Sequence, residues 1–133
     1  MAAESGFDLK IRVIEFATSF KQAQAGEFQI FQIPWSGRID PDGNSYVFMR
    51  TKAPQNDGGY SNAEADKALD DARLINDPTQ RKAIYEKLTK IVLNDLPLIY
   101  LYHRQLLIAH TTKLEGYKQM PDGLVRVIGL KLK

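Results

Sequence analysis

Apolar and polar positions alternate along Phe7-Asp8-Leu9-Lys10-Ile11-Arg12-Val13-Ile14, the period-two signature of a half-buried strand. Thr18 to Ala25 predicts a short helix, stopped at Gly26. Phe28 to Ile33 is an apolar run closed by Pro34 and predicts a second strand. Strand, helix and strand in this order predict a βαβ unit with parallel strands. From Trp35 to Tyr60 periodicity fades among Gly37, Asp40-Pro41-Asp42-Gly43-Asn44, Pro54 and Asn56-Asp57-Gly58-Gly59. This stretch predicts a long loop with one helical turn near Tyr46 to Arg50. Long loops in compact domains are often functional.

Two helices then start clearly. Ser61 with Glu64 three residues later forms the pattern of a capping box, opening a helix that runs to about Ile75. Asp77 caps the next helix, with Pro78 at its first position, where a missing N–H costs nothing. In that helix Ile84, Leu88, Ile91 and Val92 fall on one face. Leu96 to Tyr102 and Leu106 to Ala109 predict buried extended segments. The chain continues through Gly116-Tyr117 and a turn at Pro121-Asp122-Gly123. Leu124 to Ile128 predicts a terminal strand that needs a partner sheet. The fold class is therefore α/β: a βαβ unit, two amphipathic helices and further strands.

Composition narrows the function. A chain of 133 residues with 44% hydrophobic and 26% charged residues matches an ordinary globular protein and predicts one compact unit. The net charge is only +2, with basic residues scattered among acids, which argues against nucleic acid as a partner. Without cysteine there is no disulfide, thiol nucleophile or thiolate metal site. The start Met1-Ala2-Ala3-Glu4-Ser5-Gly6 lacks the basic and apolar regions of an export signal, and no apolar run approaches a membrane span. At face value the chain is cytoplasmic.

The chemistry of an enzyme is missing. His103 and His110 stand seven apart, on opposite faces of any continuous strand, which excludes a shared metal there. Asp40-x-Asp42-x-Asn44 opens like a calcium loop. However, Ser45 and Thr51 stand where an EF-hand needs Gly and Glu, so the segment reads as an Asx/Pro turn. The acidic residues Glu64, Asp66, Asp70 and Asp71 read as a solvated helix face. There is no Gly-rich phosphate loop and no Gly-x-Ser-x-Gly elbow, and no cofactor is expected.

Several segments, in order, resemble one family. They are Pro34-Trp35-Ser36-Gly37-Arg38-Ile39-Asp40-Pro41, then Gly59-Tyr60-Ser61-Asn62-Ala63-Glu64-Ala65-Asp66. Next come Arg81-x-x-x-Tyr85-x-x-Leu88-x-x-Ile91 with Asp95-Leu96-Pro97-Leu98-Ile99, and finally Leu114-Glu115-Gly116-Tyr117. Together they are similar to the later part of the large solute-binding proteins of peptide and nickel ABC importers. The resemblance implies a C-terminal fragment of a non-catalytic, two-lobed extracytoplasmic protein, with its export signal upstream and Met1-Ala2-Ala3 as an added start. Residues 1–113 would belong to the C-terminal ligand-binding lobe, and residues 114–133 would cross back towards the other lobe. Its partners would be a peptide or peptide-like small solute, the membrane permease and the N-terminal remainder of the same protein.

The resemblance also implies that Trp35, Ser36, Gly37, Arg38 and Asp40 face the ligand. For Trp35, at the end of a βαβ strand, two accounts follow: a cleft wall for ligand side chains, which ranks first, or an aromatic packing at the strand's end. In peptide binders of this family the position three after the Trp is commonly an Asp that pairs with the peptide's ammonium, and Arg38 reverses that charge. Three accounts of Arg38 follow: an ion pair with Asp40 or Asp42, which ranks first, a contact to an anionic ligand group, or solvent exposure. The competing account of the whole chain is a freestanding cytoplasmic α/β domain with an interaction or regulatory role.

Overall fold

The computed structural model describes residues 2–103, 105–120 and 122–133. The expected start at Met1 and the Pro121 position of the expected turn lie outside these residues. The chain divides between Gln32 and Ile33 into two compact units.

In the first unit, a 3₁₀ turn at Ala3–Ser5 precedes a segment without regular structure and helix α1, Phe16–Gln24. Helix α1 begins two residues earlier than the pattern predicts, because Glu15 caps it. The carboxylate of Glu15 accepts from the N–H groups of Ala17 and Thr18 at 2.8 and 2.9 Å, and these backbone bonds lower its pKa. Phe16 and Phe20, one helical turn apart, stack with centroids 5.9 Å apart.

The expected strands at Phe7–Ile14 and Phe28–Ile33 carry no ladder, so the βαβ pairing does not form. A strand needs a neighbour for its N–H and C=O groups, and none pairs with these segments among the described residues. Ile11 and Val13 consequently stand 91% and 89% exposed.

The second unit is a three-helix layer of α2 (Asp42–Met49), α3 (Ala63–Leu74) and α4 (Pro78–Asp95). Helix α2 is longer than the single turn expected. On α3, Ala65, Ala68, Leu69 and Ala72 are buried at positions i, i+3, i+4 and i+7. Three of the four are alanines, so the neighbouring helices approach closely. Leu69 is fully buried, and it clusters with Met49 of α2 and with Leu88 and Val92 of α4. Ile84 and Ile91 pack against the same core, as their spacing predicts.

Caps fix the helix boundaries. Asp77 accepts from the Gln80 N–H at 2.8 Å with Pro78 in the first turn, as expected. The cap of α3 is one residue later than expected. Asn62, not Ser61, accepts from the N–H groups of Glu64 and Ala65, at 2.9 and 3.2 Å, while Ser61 takes a hydrogen bond from Thr51. The amide of Asn62 also donates to Asp95 at 2.7 Å, beside the Tyr60 hydroxyl, which donates to the same oxygen at 2.7 Å. The start of α3 is thereby tied to the end of α4. The hydrogen bond from Tyr60, then those from Asn62 and Asn94, lower the pKa of Asp95.

Beyond α4 the expected buried extended segments are not found: Leu96 ends the helix in the left-handed region at φ 49°, Pro97 and Leu98 form a bend, and the described residues on to Ala109 join no ladder and are not buried. Ile99, Tyr102 and Leu107 are 74%, 73% and 82% exposed. Leu124–Ile128 forms no strand. Instead β1 (Leu114–Glu115) pairs antiparallel with β2 (Lys131–Leu132), Leu114 facing Leu132. Gly116 permits this hairpin, since its φ is 81° and a Cβ there would overlap the Gly129 carbonyl. The described residues are thus mixed α/β, with four α-helices and a two-stranded sheet, compatible with part of a periplasmic-binding-protein lobe. No helix among them is long and apolar enough to cross a membrane.

Candidate functional site

The loop that the sequence singles out runs from Trp35 into α2 and is organised by Asn44. This side chain uses its full amide capacity. Its Oδ1 accepts from the Trp35 indole N–H at 3.0 Å and from the Arg38 backbone N–H at 2.6 Å. Its Nδ2 donates to the carbonyls of Arg38 and Asp40 at 2.6 and 3.1 Å. Gly37, at φ 73°, supplies the left-handed turn between Trp35 and Arg38. Trp35 then packs edge-on against Phe48 of α2, with centroids 4.9 Å apart and planes at 89°. The Arg38 guanidinium lies 4.5 Å from the centre of the Trp35 ring. From there Nη1 donates to Ser36 Oγ at 2.9 Å and to the Gly37 carbonyl at 2.7 Å. Trp35, Ser36, Gly37 and Arg38 therefore form one assembly.

The acids of the loop behave differently from expectation. Asp40 is gripped by both terminal nitrogens of Arg81 on α4, at 2.7 and 2.8 Å. Asp42 is gripped by Arg73 on α3, at 2.7 and 2.9 Å. Arg73 in turn covers the Tyr46 ring, and Arg81 also donates to the Ala72 carbonyl at 3.1 Å. These fork-to-fork pairs latch the loop onto the helix layer around a cleft of about 320 Å³. The leading expectation for Arg38, an ion pair with Asp40 or Asp42, is thus corrected, because both carboxylates are taken by arginines from other elements.

The Asx-turn reading holds: Asp40 Oδ1 accepts from the Asp42 N–H at 2.8 Å. Asp40, Asp42 and Asn44 each face different partners, so they do not converge on a cation.

Hydrogen bonds from Arg81, followed by the bond from the Asp42 N–H, pull the Asp40 pKa from 3.8 down to about 2. Such a weak base has no use in proton transfer near neutrality. A depressed carboxylate pKa stabilises the latch fully above the unfolded value of 3.8, and that stabilisation disappears as pH falls towards about 2. Trp35 is the only tryptophan and sits on the same loop. Its emission should therefore change between about pH 4 and pH 2 in the native chain. In Asp40→Asn that step should be absent, and a step of unchanged size would show that the latch is not what titrates.

The sequence reading missed Asn44 as the organiser and missed both arginine latches. The signal for the first, Asp40-Pro41-Asp42-Gly43-Asn44, reads locally as a turn and names none of these partners. The expectation of a solvated acidic face on α3 holds for Glu64, which is 72% exposed, while Asp66 and Asp70 are bonded by Arg50 at 3.0 and 3.2 Å. The Thr51 N–H donates to Asp66 as well, at 2.8 Å. What the loop presents is an aromatic ring, a stacked cation and main-chain groups.

A scan against protein-family models finds no match. Individual relatives are clearer. The oligopeptide-binding protein AppA of Bacillus subtilis is 30% identical over 119 residues, 87% of this chain and 22% of the relative. The probable D,D-dipeptide-binding periplasmic protein DdpA of Escherichia coli is 29% identical over 84% of the chain and 22% of the relative. The probable deoxycholate-binding periplasmic protein YgiS of Escherichia coli is 26% identical over 77% of the chain and 19% of the relative. The chain spans about a fifth of the length of the curated relatives it matches. These are binding proteins and not enzymes, as the missing catalytic groups lead one to expect. Matches of this extent, repeated across relatives of different bacteria, answer the question of kinship: the chain belongs to the peptide/nickel-type (family 5) extracytoplasmic solute-binding proteins of ABC importers.

Proposed function

We propose that this chain is part of the C-terminal lobe of a binding protein that carries a solute, an oligopeptide or a peptide-like molecule, to an ABC permease in the membrane. The observation that carries this reading is the 30% identity over 87% of the chain to an oligopeptide-binding protein. In it, residues 1–113 belong to the ligand-binding lobe and residues 114–133 cross back towards the other lobe. The export signal lies upstream, and the protein works outside the cytoplasm. Two lobes on a hinge trap the solute and release it without changing it.

Trp35, Ser36, Gly37 and Arg38 line the ligand side of this lobe, and Asp40 serves it by holding the loop through Arg81. The exposed Ile11, Val13, Ile99, Leu107 and Ile128 support the presence of a further protein body, since isolated domains rarely leave so much apolar surface uncovered. The same surface counts against a freestanding cytoplasmic domain. Relatives named for oligopeptide, D,D-dipeptide and deoxycholate show that family membership does not fix the solute.

The test compares the intact protein that carries this sequence with the 133-residue chain alone, each against a pool of random tripeptides. A ligand at a hundred times its Kd stabilises by about 2.7 kcal/mol, so the Tm of the intact protein should rise. The chain alone should bind weakly or not at all, because half a cleft cannot bury a ligand. An unmoved Tm in the intact protein contradicts the peptide assignment. Micromolar binding by the chain alone contradicts the half-cleft account.

A further inference from the structure

The ion pairs of the loop leave one charge over. The loop and the helices that hold it bring three arginines, Arg38, Arg73 and Arg81, to two loop carboxylates, Asp40 and Asp42, and only Arg73 and Arg81 bond them. Asp42 goes to Arg73 and Asp40 to Arg81, each through two hydrogen bonds. Among the described residues Arg38 makes no ion pair. Its hydrogen bonds go to neutral acceptors, the Ser36 hydroxyl and the Gly37 carbonyl, and both use Nη1. Nε and Nη2 have no acceptor among the described residues.

An exposed arginine without a partner ordinarily samples many rotamers. Arg38 is fixed instead: its guanidinium lies on Trp35, its Nη1 is tied down, and its stem lies against the backbone of Gly43. A Cβ at Gly43 would come within 3.0 Å of both Cβ and Cγ of Arg38. The fold thus holds a planar cation in place while Asp40 and Asp42, the acids next to it in the sequence, are held by other arginines. A weakly hydrated guanidinium with a free N–H edge fits a carboxylate side by side, and the aromatic face beneath it keeps water from one side.

We propose that Arg38 is a specificity-determining residue that takes a carboxylate of the bound solute on its Nε/Nη2 edge, with Trp35 as its platform. This rests on the reading of the loop as the ligand face of the lobe. The carboxylate has two sources within a peptide, the chain terminus and an acidic side chain.

The test uses the intact protein and Trp35 emission with three probes. They are acetyl-trialanine with a free terminus, the same peptide as its terminal amide, and acetyl-Ala-Glu-Ala amide. Acetylation removes the amine from all three. At least one acid probe should bind about ten- to a hundred-fold more tightly than the uncharged amide, the range of one charged hydrogen-bonded contact. Which acid gains identifies the source. Arg38→Ala should bring that ratio to about one, and Arg38→Lys, which keeps the charge without the fork, should leave an intermediate ratio.

Equal affinity for acids and amide, a ratio that survives Arg38→Ala, or no response to either acid at millimolar concentration each overturns the proposal. A protein that takes up tripeptides from the random pool but fails these criteria is still a peptide binder, so the two failures are separable.

Discussion

Leu69→Ala should cost the helix layer about 2–5 kcal/mol, towards the upper end of that range. Leu69 is fully buried and faces Met49 of α2 and Leu88 and Val92 of α4, so its side chain is shared by all three helices. The cost of such a truncation has two parts, the lost transfer of apolar surface and the cavity left behind. The second part is large where neighbours cannot move in. Here the residues flanking Leu69 along the buried stripe are Ala65, Ala68 and Ala72, which have no side-chain length with which to fill a void. Urea unfolding followed by circular dichroism should show a lower midpoint with little change in slope. A loss below about 1 kcal/mol would mean that the space closes over and that α3 is not the centre of this layer.

Asn44→Ala should have the largest effect on the loop itself. The substitution removes the acceptor of the Trp35 indole and Arg38 backbone N–H groups, and the donor to two carbonyls. These groups are partly open to water, which replaces some of what is lost, so the stability cost should be about 1–2 kcal/mol rather than the sum of four buried bonds. The functional cost should be greater. With the amide gone, the Trp35 ring keeps only its contacts with Phe48 and the Arg38 guanidinium, the backbone of Arg38 loses its tether, and solute affinity should fall roughly tenfold, because the binding groups must then be ordered at the moment of binding. Tryptophan emission should shift to the red as the indole gains water.

Asn44→Asp separates the two halves of the amide. It keeps an acceptor for the two N–H groups but sets a carboxylate oxygen against the carbonyls of Arg38 and Asp40. It should therefore still shift the emission, though less than Asn44→Ala. Unchanged emission in both variants would show that Asn44 does not organise the loop.

Much of the helical layer was legible in the sequence because its signals are local. Asp77-Pro78 marks a helix start through the geometry of a single turn, and Ile84, Leu88, Ile91 and Val92 mark the inward face by spacing alone. The shift from Ser61 to Asn62 as the cap of α3 has a non-local cause. Either residue can cap, but Ser61 is engaged by Thr51, ten residues earlier, and Asn62 by Asp95, on the far side of the layer. Helix α2 was hidden because Pro41, Gly43 and Asn44 are turn residues by propensity. Here Asn44 spends its side chain on the preceding loop rather than competing with the helix backbone.

The strands were the weakest part of the reading. Alternation along Phe7–Ile14 states which side chains want burial, but a ladder is made with a partner that no local pattern names. The site shows the same division. Trp35, Ser36, Gly37 and Arg38 do assemble, whereas the partners of the loop acids do not follow from proximity along the chain. Asp40 is two residues from Arg38 yet bonds Arg81, 41 residues away, and Asp42 bonds Arg73, 31 residues away. Gly37 turns the chain between the ring and the cation, and α2 carries Asp42 towards α3. Facing, not nearness in sequence, decides the pairing.

Mass spectrometry of whatever solute remains bound when the intact protein is purified under mild conditions tests the central claim most directly. Binding without chemistry predicts unmodified small molecules released in stoichiometric amount on denaturation, short peptides foremost and each carrying a carboxylate. Purified protein that carries no small solute and takes up none from a peptide mixture, or that returns an added peptide cleaved, would contradict it.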